Sequence, residues 1–259
     1  MEIDIIPPMG IHSKIKRHFD KKTQGLAYDG LNNLTLPNAL LIIPDGNGRW
    51  AKELGLSISD GHKEGGRNMS KILDHFMKTG INVLGVWGFS EDNWKRPKDE
   101  IDKIMEVVSN TITENLEKLL KNDIKFLVLG KKEKIQHEYP DLYQKILNAV
   151  EKTKNNTSKT LALFIDYGEK YQLEEFAKIR EKDKNLTTYE LLSKINGGLP
   201  LFDMVLRTSG EQRMSGFGPL ASLAEFVSVK NNLPEITDLD IISALREFSG
   251  RQRRFGGRV

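Results

Sequence analysis

From Ala39 onward, short apolar runs of strand length alternate with stretches whose apolar residues recur at helical spacing, and few architectures accommodate that pattern. Ala39–Ile43, Asn82–Phe89, Ile124–Leu129, Thr160–Ile165, Met204–Leu206 and Phe226–Val229 read as strands. Between the first two, Met69, Ile72, Leu73, Phe76 and Met77 share one helical face, with Gly80 placed to end the helix. Ile101, Ile104, Met105, Val108, Ile112, Leu116 and Leu119 mark a longer amphipathic helix. Pro97 lies near its start, where a missing N–H costs little. Residues 139–155, 169–181, 187–195 and 238–248 add further helices. Strands alternating with helices predict an α/β fold: a single domain with a central, mostly parallel six-stranded sheet flanked by helices. Such sheets bind ligands beyond the carboxyl ends of their strands, so the chemistry is expected after Ile43, Phe89 and Leu206.

Composition narrows the function. The 259 residues suffice for one large α/β domain, and 38% hydrophobic with 29% charged residues excludes wholesale disorder. The 39 basic and 36 acidic side chains leave no concentrated basic excess, so no nucleic-acid partner is expected. There is no cysteine, which excludes disulfides and thiolate metal sites. No run approaches the ~18 apolar residues that span a bilayer, and MEIDIIPPMG lacks a basic stretch followed by an apolar one. The expectation is a soluble, cytoplasmic protein. Residues 1–36 differ from the rest: they carry Pro7-Pro8 and a basic stretch from Lys14 to Lys22. They are taken as an N-terminal extension, a solvated arm with contact to anionic lipid as the minor alternative, preceding a domain at 37–259.

Three clusters fall where the fold places ligands. LIIPDGNGRWA sets Asp45, Gly46, Asn47, Gly48, Arg49 and Trp50 directly after a buried strand. Glycine lets backbone N–H groups approach an anion, a following helix N-terminus adds partial positive charge, and Arg49 brings a forked donor. A lone carboxylate among such donors makes sense if a divalent cation bridges it to a diphosphate; a simple tight turn is the bland alternative. After the second strand, Ser90, Asn93 and Arg96 offer donors and Trp94 a flat apolar wall, a mixture suited to a diphosphate head with an apolar tail. After a late strand, Arg207, Arg213 and Ser215 form a second anion clamp, two arginines six positions apart.

D-G-N-G-R-W-A with Gly61-His62, then F-S-E-D-N-W-K-R-P, then R-T-S-G-E-Q-R-M-S, and finally R-Q-R-R-F-G-G at 251–257 resemble, in order, the signatures of the cis-prenyltransferases of the undecaprenyl diphosphate synthase family. The resemblance implies an apolar tunnel beside the sheet and a Mg²⁺-dependent condensation of isopentenyl diphosphate with an allylic diphosphate such as farnesyl diphosphate. It implies that Asp45 is catalytic and holds the metal, with Glu225 as a second metal-associated carboxylate and Asn93 orienting substrate. Gly46, Asn47, Gly48, Arg49, Trp50 and His62 would bind the allylic diphosphate. Ser90, Trp94 and Arg96 would add contacts, and Arg207, Arg213 and Ser215 would hold isopentenyl diphosphate. Met69, Phe76, Met105 and Val108 are candidates for the tunnel wall. A homodimer is implied, its C-terminal arginines reaching the partner's site. The sequence departs from the family pattern at Ala39, Pro44, Ile58 (an arginine in the family), Asp166, Glu169 and the stretch Gly216–Ser222, so a short-chain or branched, non-head-to-tail product is the alternative. Less favoured are a non-catalytic subunit of a heteromeric prenyltransferase and a polyanion-binding module.

Overall fold

Six strands pair in the order β3-β4-β2-β1-β5-β6, every neighbouring pair parallel. They are β1 (Ala39–Ile43), β2 (Val83–Ser90), β3 (Ile124–Leu129), β4 (Lys159–Tyr167), β5 (Met204–Arg207) and β6 (Glu225–Ser228). The computed structural model describes Leu31 and residues 33–254. The chain divides into two units, Met1–Thr35 and Leu36–Val259, and every strand belongs to the second. The basic stretch Lys14–Lys22 and the terminal Phe255-Gly256-Gly257 lie outside the described residues. No described helix is long and apolar enough to cross a membrane.

All six expected strands form, with ends shifted by one or two residues, and the sheet is parallel throughout rather than mostly so. β1 is buried at all five positions because it is central and covered on both faces. The helices are α1 (Asn47–Glu53), α2 (Ile58–Lys78), α3 (Lys98–Lys121), α4 (Glu133–Glu138), α5 (Pro140–Thr153), α6 (Glu169–Lys182), α7 (Thr188–Ile195) and α8 (Asp238–Ser249). A capping box starts α2: Ser57 Oγ accepts from Asp60 N and Asp60 Oδ2 accepts from Ser57 N, both at 3.2 Å. Gly80 does not end α2 in a left-handed turn; extended Thr79 does, its hydroxyl donating to Phe76 O at 3.0 Å. The helix expected over 139–155 forms as α5, while the short α4 before it is a helix the sequence did not announce; Tyr139, the residue before Pro140, leaves helical geometry and separates the two.

The stretch Gly216–Ser222 becomes a plug for one face of the sheet. Phe217 is fully buried, with its ring centroid 5.2 Å from Trp87, 5.1 Å from Phe164 and 5.2 Å from Tyr167. Burial of such a ring contributes about 1.5–3 kcal/mol. The loop can place it because Gly216 and Gly218 are left-handed (φ 78° and 103°). A side chain at Gly218 would also strike the buried Gln172 amide.

Candidate active site

The carboxyl ends of β1, β2 and β5 open into a cleft of about 640 Å³. Asp45 lines it, two residues beyond β1. Its backbone is fixed by Thr208, whose hydroxyl accepts from Asp45 N and donates to Asp45 O, each at 2.7 Å. One carboxylate oxygen accepts from Arg49 Nη2 at 2.9 Å and from Gly46 N at 2.7 Å; the other accepts from Arg207 Nη2 at 3.0 Å. Burial acts to raise the Asp45 pKa, but the Arg207 and Arg49 guanidiniums outweigh it and hold the carboxyl below its ordinary value. Only glycine fits at 46: φ is 97°, and a Cβ there would lie 2.2 Å from Asn232 Oδ1.

Arg207 ends β5 almost completely buried, and its Nη1 donates to Ser215 Oγ at 2.7 Å and to the Arg213 carbonyl. Its Nε is buried with no hydrogen-bond partner among the described residues. Glu211 links the two arginine sets by accepting from Arg49 Nη1 at 2.7 Å and from Arg213. His62, on α2, contacts Asn47 Nδ2 at 3.3 Å and Glu100 at 3.4 Å. Burial lowers the His62 pKa, with Glu100 opposing and Arg96 assisting. Arg96 donates to the same Glu100 oxygen at 2.7 Å. Asn93 Oδ1 accepts from Ser90 N at 2.9 Å, which fixes the turn after β2 against the cleft.

Twelve of the residues singled out from sequence line this cleft: Asp45, Gly46, Asn47, Gly48, Arg49, His62, Ser90, Asn93, Arg96, Arg207, Arg213 and Ser215. Three lie elsewhere. Trp50 is outside the lining, on α1. Trp94 packs edge-on to Phe89 (centroids 4.9 Å) and stacks near Tyr139, with Lys134 Nζ 3.8 Å from its ring centre, so it supports the turn from behind. Glu225 opens β6, level with Met204 at the amino end of β5, whereas Asp45 lies beyond the carboxyl end of β1. There Glu225 accepts from Arg251 Nη1 at 3.0 Å. Sequence reasoning missed Thr208, Glu211 and Glu100, whose role is to orient charged neighbours. Thr208 and Glu211 lay within a quoted motif, and Glu100 three residues past Pro97 offered no motif signal.

An apolar cavity with a free interior of about 150 Å³ borders the cleft, sharing Pro44, Asn47, His62, Gly88 and Ile104 with it. Leu84, Val86, Leu161 and Leu163 of the sheet and residues of α2 and α3 wall it. Met69 and Val108 line it as expected, while Phe76 and Met105 do not: both are almost fully buried in the core. Ile58 lines the cleft, half-exposed.

Paired anion clamps joined to a hydrocarbon-lined pocket define an enzyme class that handles amphiphiles with a polyanionic head. The chain belongs to the undecaprenyl diphosphate synthase family of prenyltransferases: the family model described as "Putative undecaprenyl diphosphate synthase" matches residues 43–256. It is 33% identical to an isoprenyl transferase of Fusobacterium nucleatum, over 86% of this chain and 96% of that protein. It is 30% identical to the (2E,6E)-farnesyl-diphosphate-specific ditrans,polycis-undecaprenyl-diphosphate synthase of Micrococcus luteus, over 92% and 98% of the two chains. Among solved structures, lavandulyl diphosphate synthase of Lavandula x intermedia in complex with dimethylallyl diphosphate superposes with a TM-score of 0.79 at 26% identity, over 85% of this chain and 98% of that one. The chain is therefore a prenyltransferase enzyme of isoprenoid biosynthesis.

Proposed function

We propose that the chain condenses isopentenyl diphosphate with an allylic prenyl diphosphate to give a cis-prenyl diphosphate, with both diphosphates in the cleft around Asp45 and the hydrocarbon in the adjoining cavity. The observation that carries this reading is a pairing: a polar cleft in which Asp45 accepts from both Arg49 and Arg207, beside an apolar cavity that shares Pro44, Asn47, His62, Gly88 and Ile104 with it.

Gly46, Gly48, Arg49 and His62 hold the allylic diphosphate in this reading, and their donors stabilise charge on the oxygen as the allylic carbon–oxygen bond breaks. Arg207, Arg213 and Ser215 fix isopentenyl diphosphate so that its double bond faces that carbon, which is catalysis by positioning. Asn93 orients the substrates. The proton lost as the new double bond forms goes to an oxygen of the departing diphosphate. Among the described residues no three metal-ligating side chains cluster. Mg²⁺, however, characteristically binds one or two carboxylates together with substrate phosphates, so Asp45 fits a metal that arrives with the diphosphate. When bound, the metal neutralises diphosphate charge. Glu225 stands too far along the sheet to share that ion within one chain.

A short or branched product is the second reading. Ile58 favours it, an apolar side chain in the cleft where the family pattern has an arginine, and so does the likeness to lavandulyl diphosphate synthase. We further propose a homodimer, supported by the open edge of β6 and by Leu223, exposed just before it; light scattering tests it.

Incubation with Mg²⁺, labelled isopentenyl diphosphate and dimethylallyl, geranyl or farnesyl diphosphate in turn tests the reaction. Products resolved by mass and NMR decide between a long cis chain and a short or branched one. Absence of product from every primer contradicts the proposal.

A further inference from the structure

The walls of the apolar cavity contain one polar seam. On α2, cavity-lining positions run inward from His62 at the shared mouth through Gly65, Gly66, Met69 and Ser70 to Leu73. On α3 they run from Ile104 through Val108, Thr111 and Asn115 to Leu119. At 1.5 Å per residue, Ser70 lies about 12 Å from the mouth along α2 and Asn115 about 16 Å along α3. At that depth the helices are tied together. Buried Asn115 donates through Nδ2 to Ser70 Oγ at 2.9 Å and to Thr111 O at 2.8 Å, and Ser70 in turn donates to Gly66 O at 3.4 Å. One turn further, Lys118 on α3 donates to Asp74 on α2 at 2.8 Å. Nearer the mouth the helices approach so closely that a Cβ on Gly66 would lie 2.7 Å from Val107 Cγ1.

A free interior of about 150 Å³ is small for a polyprenyl tail. An apolar cavity of roughly that size binds a molecule such as benzene. A hydrocarbon longer than one or two isoprene units therefore enters only if a wall moves. The sheet wall is a hydrogen-bonded parallel ladder, so the wall that yields is the α2–α3 pair. A buried amide bonded across that pair resists parting, because separation leaves its donor unpaired beside hydrocarbon.

We propose that the Asn115–Ser70 hydrogen bond, backed by Lys118–Asp74, clamps α2 to α3 and sets the length of prenyl chain that the cavity accepts. This rests on the reading of the cavity as the seat of the prenyl tail. Two variants separate the clamp from mere volume: Asn115→Ala removes the link and adds space, whereas Ser70→Ala removes the link and adds almost none. The first readout needs no turnover. Calorimetric affinities for geranyl, farnesyl and geranylgeranyl diphosphates are measured on native protein and on both variants, with thermal melts confirming that each is folded. The clamp requires native affinity to fall from the shorter to the longer ligands, and both variants to reduce that discrimination about tenfold. Where the native protein turns over, both variants shift product to greater length. Unchanged discrimination and product length in Ser70→Ala overturn the clamp, even if Asn115→Ala responds. Failure of native protein to bind any of the three diphosphates would instead strike at the proposed function itself.

Discussion

The two ends of the sheet are built from the same chemistry and differ in what surrounds it. Beyond the carboxyl ends of β1 and β5, Asp45 accepts from Arg49 and Arg207. Beside the amino ends of β5 and β6, Asp203 accepts from Arg253 at 2.6 Å and Glu225 accepts from Arg251 at 3.0 Å. Register separates these ends by three residues of β5, about 10 Å. At the amino end the carboxylates act within the chain: Asp203 also accepts from Asn38 N and Ala39 N, both at 3.0 Å, and none of Asp203, Glu225, Arg251 or Arg253 lines either cavity. At the carboxyl end the same pairs face an open cleft. Arginine–carboxylate pairing is thus no mark of a site; a cleft and an adjoining apolar cavity are.

That contrast can be broken by substitution. Asp45→Asn keeps the shape and removes the charge; kcat/KM in a labelled-substrate assay is expected to fall by about 10²–10³, the scale of losing a group that stabilises charge in the transition state. Arg207→Ala removes a buried charge-assisted donor worth about 1.5–3 kcal/mol, so the affinity for isopentenyl diphosphate, followed by calorimetry, drops roughly ten- to a hundredfold. Ile58→Arg sharpens the comparison in the other direction. A forked cation restored to the cleft wall should lower KM for the allylic diphosphate by about tenfold; no change would place Ile58 outside the substrate's reach.

At the amino end the effects shrink. Glu225→Gln breaks one partly exposed pair, for which about 1 kcal/mol is an upper figure in chemical denaturation, whereas Arg251→Ala breaks that pair and a second one to Glu247; the double variant costs no more than Arg251→Ala alone. The Mg²⁺ concentration giving half-maximal rate stays at its native value in both; a rise in Glu225→Gln alone would assign Glu225 to the metal. The smallest effect concerns His62. Its pKa is lowered on folding, so the unfolded chain binds this proton more tightly. Its contribution to stability is complete above the ordinary value of 6.5 and declines as pH falls below it. Denaturant titrations at about pH 7.5 and about pH 5.5 should show a loss at the lower pH that His62→Gln diminishes.

Much of this was legible in the sequence, for identifiable reasons. Strands covered on both faces are apolar throughout, which exposed β1 as ALLII, and the rule placing ligands beyond carboxyl ends then pointed to Asp45, Ser90 and Arg207. Local signals failed where tertiary contacts decide. Trp94 looked like a substrate wall but is held by Phe89 and Tyr139, and Phe76 and Met105 sit on lining helices yet turn into the core. The resemblance implies a metal role for Glu225, but strand register, which no single sequence displays, puts it at the other end of the sheet. The Asn115–Ser70 link carries no sequence signal for a similar reason: the two residues, 45 positions apart, meet only because α2 packs on α3.

The most direct test measures incorporation of labelled isopentenyl diphosphate across a Mg²⁺ series by native, Asp45→Asn and Glu225→Gln proteins side by side. The expected result is metal-dependent prenyl product from native and Glu225→Gln proteins with the same Mg²⁺ dependence, and at least about a hundredfold less from Asp45→Asn. Native-level product from Asp45→Asn would contradict the placement of the reaction at the carboxyl end of the sheet.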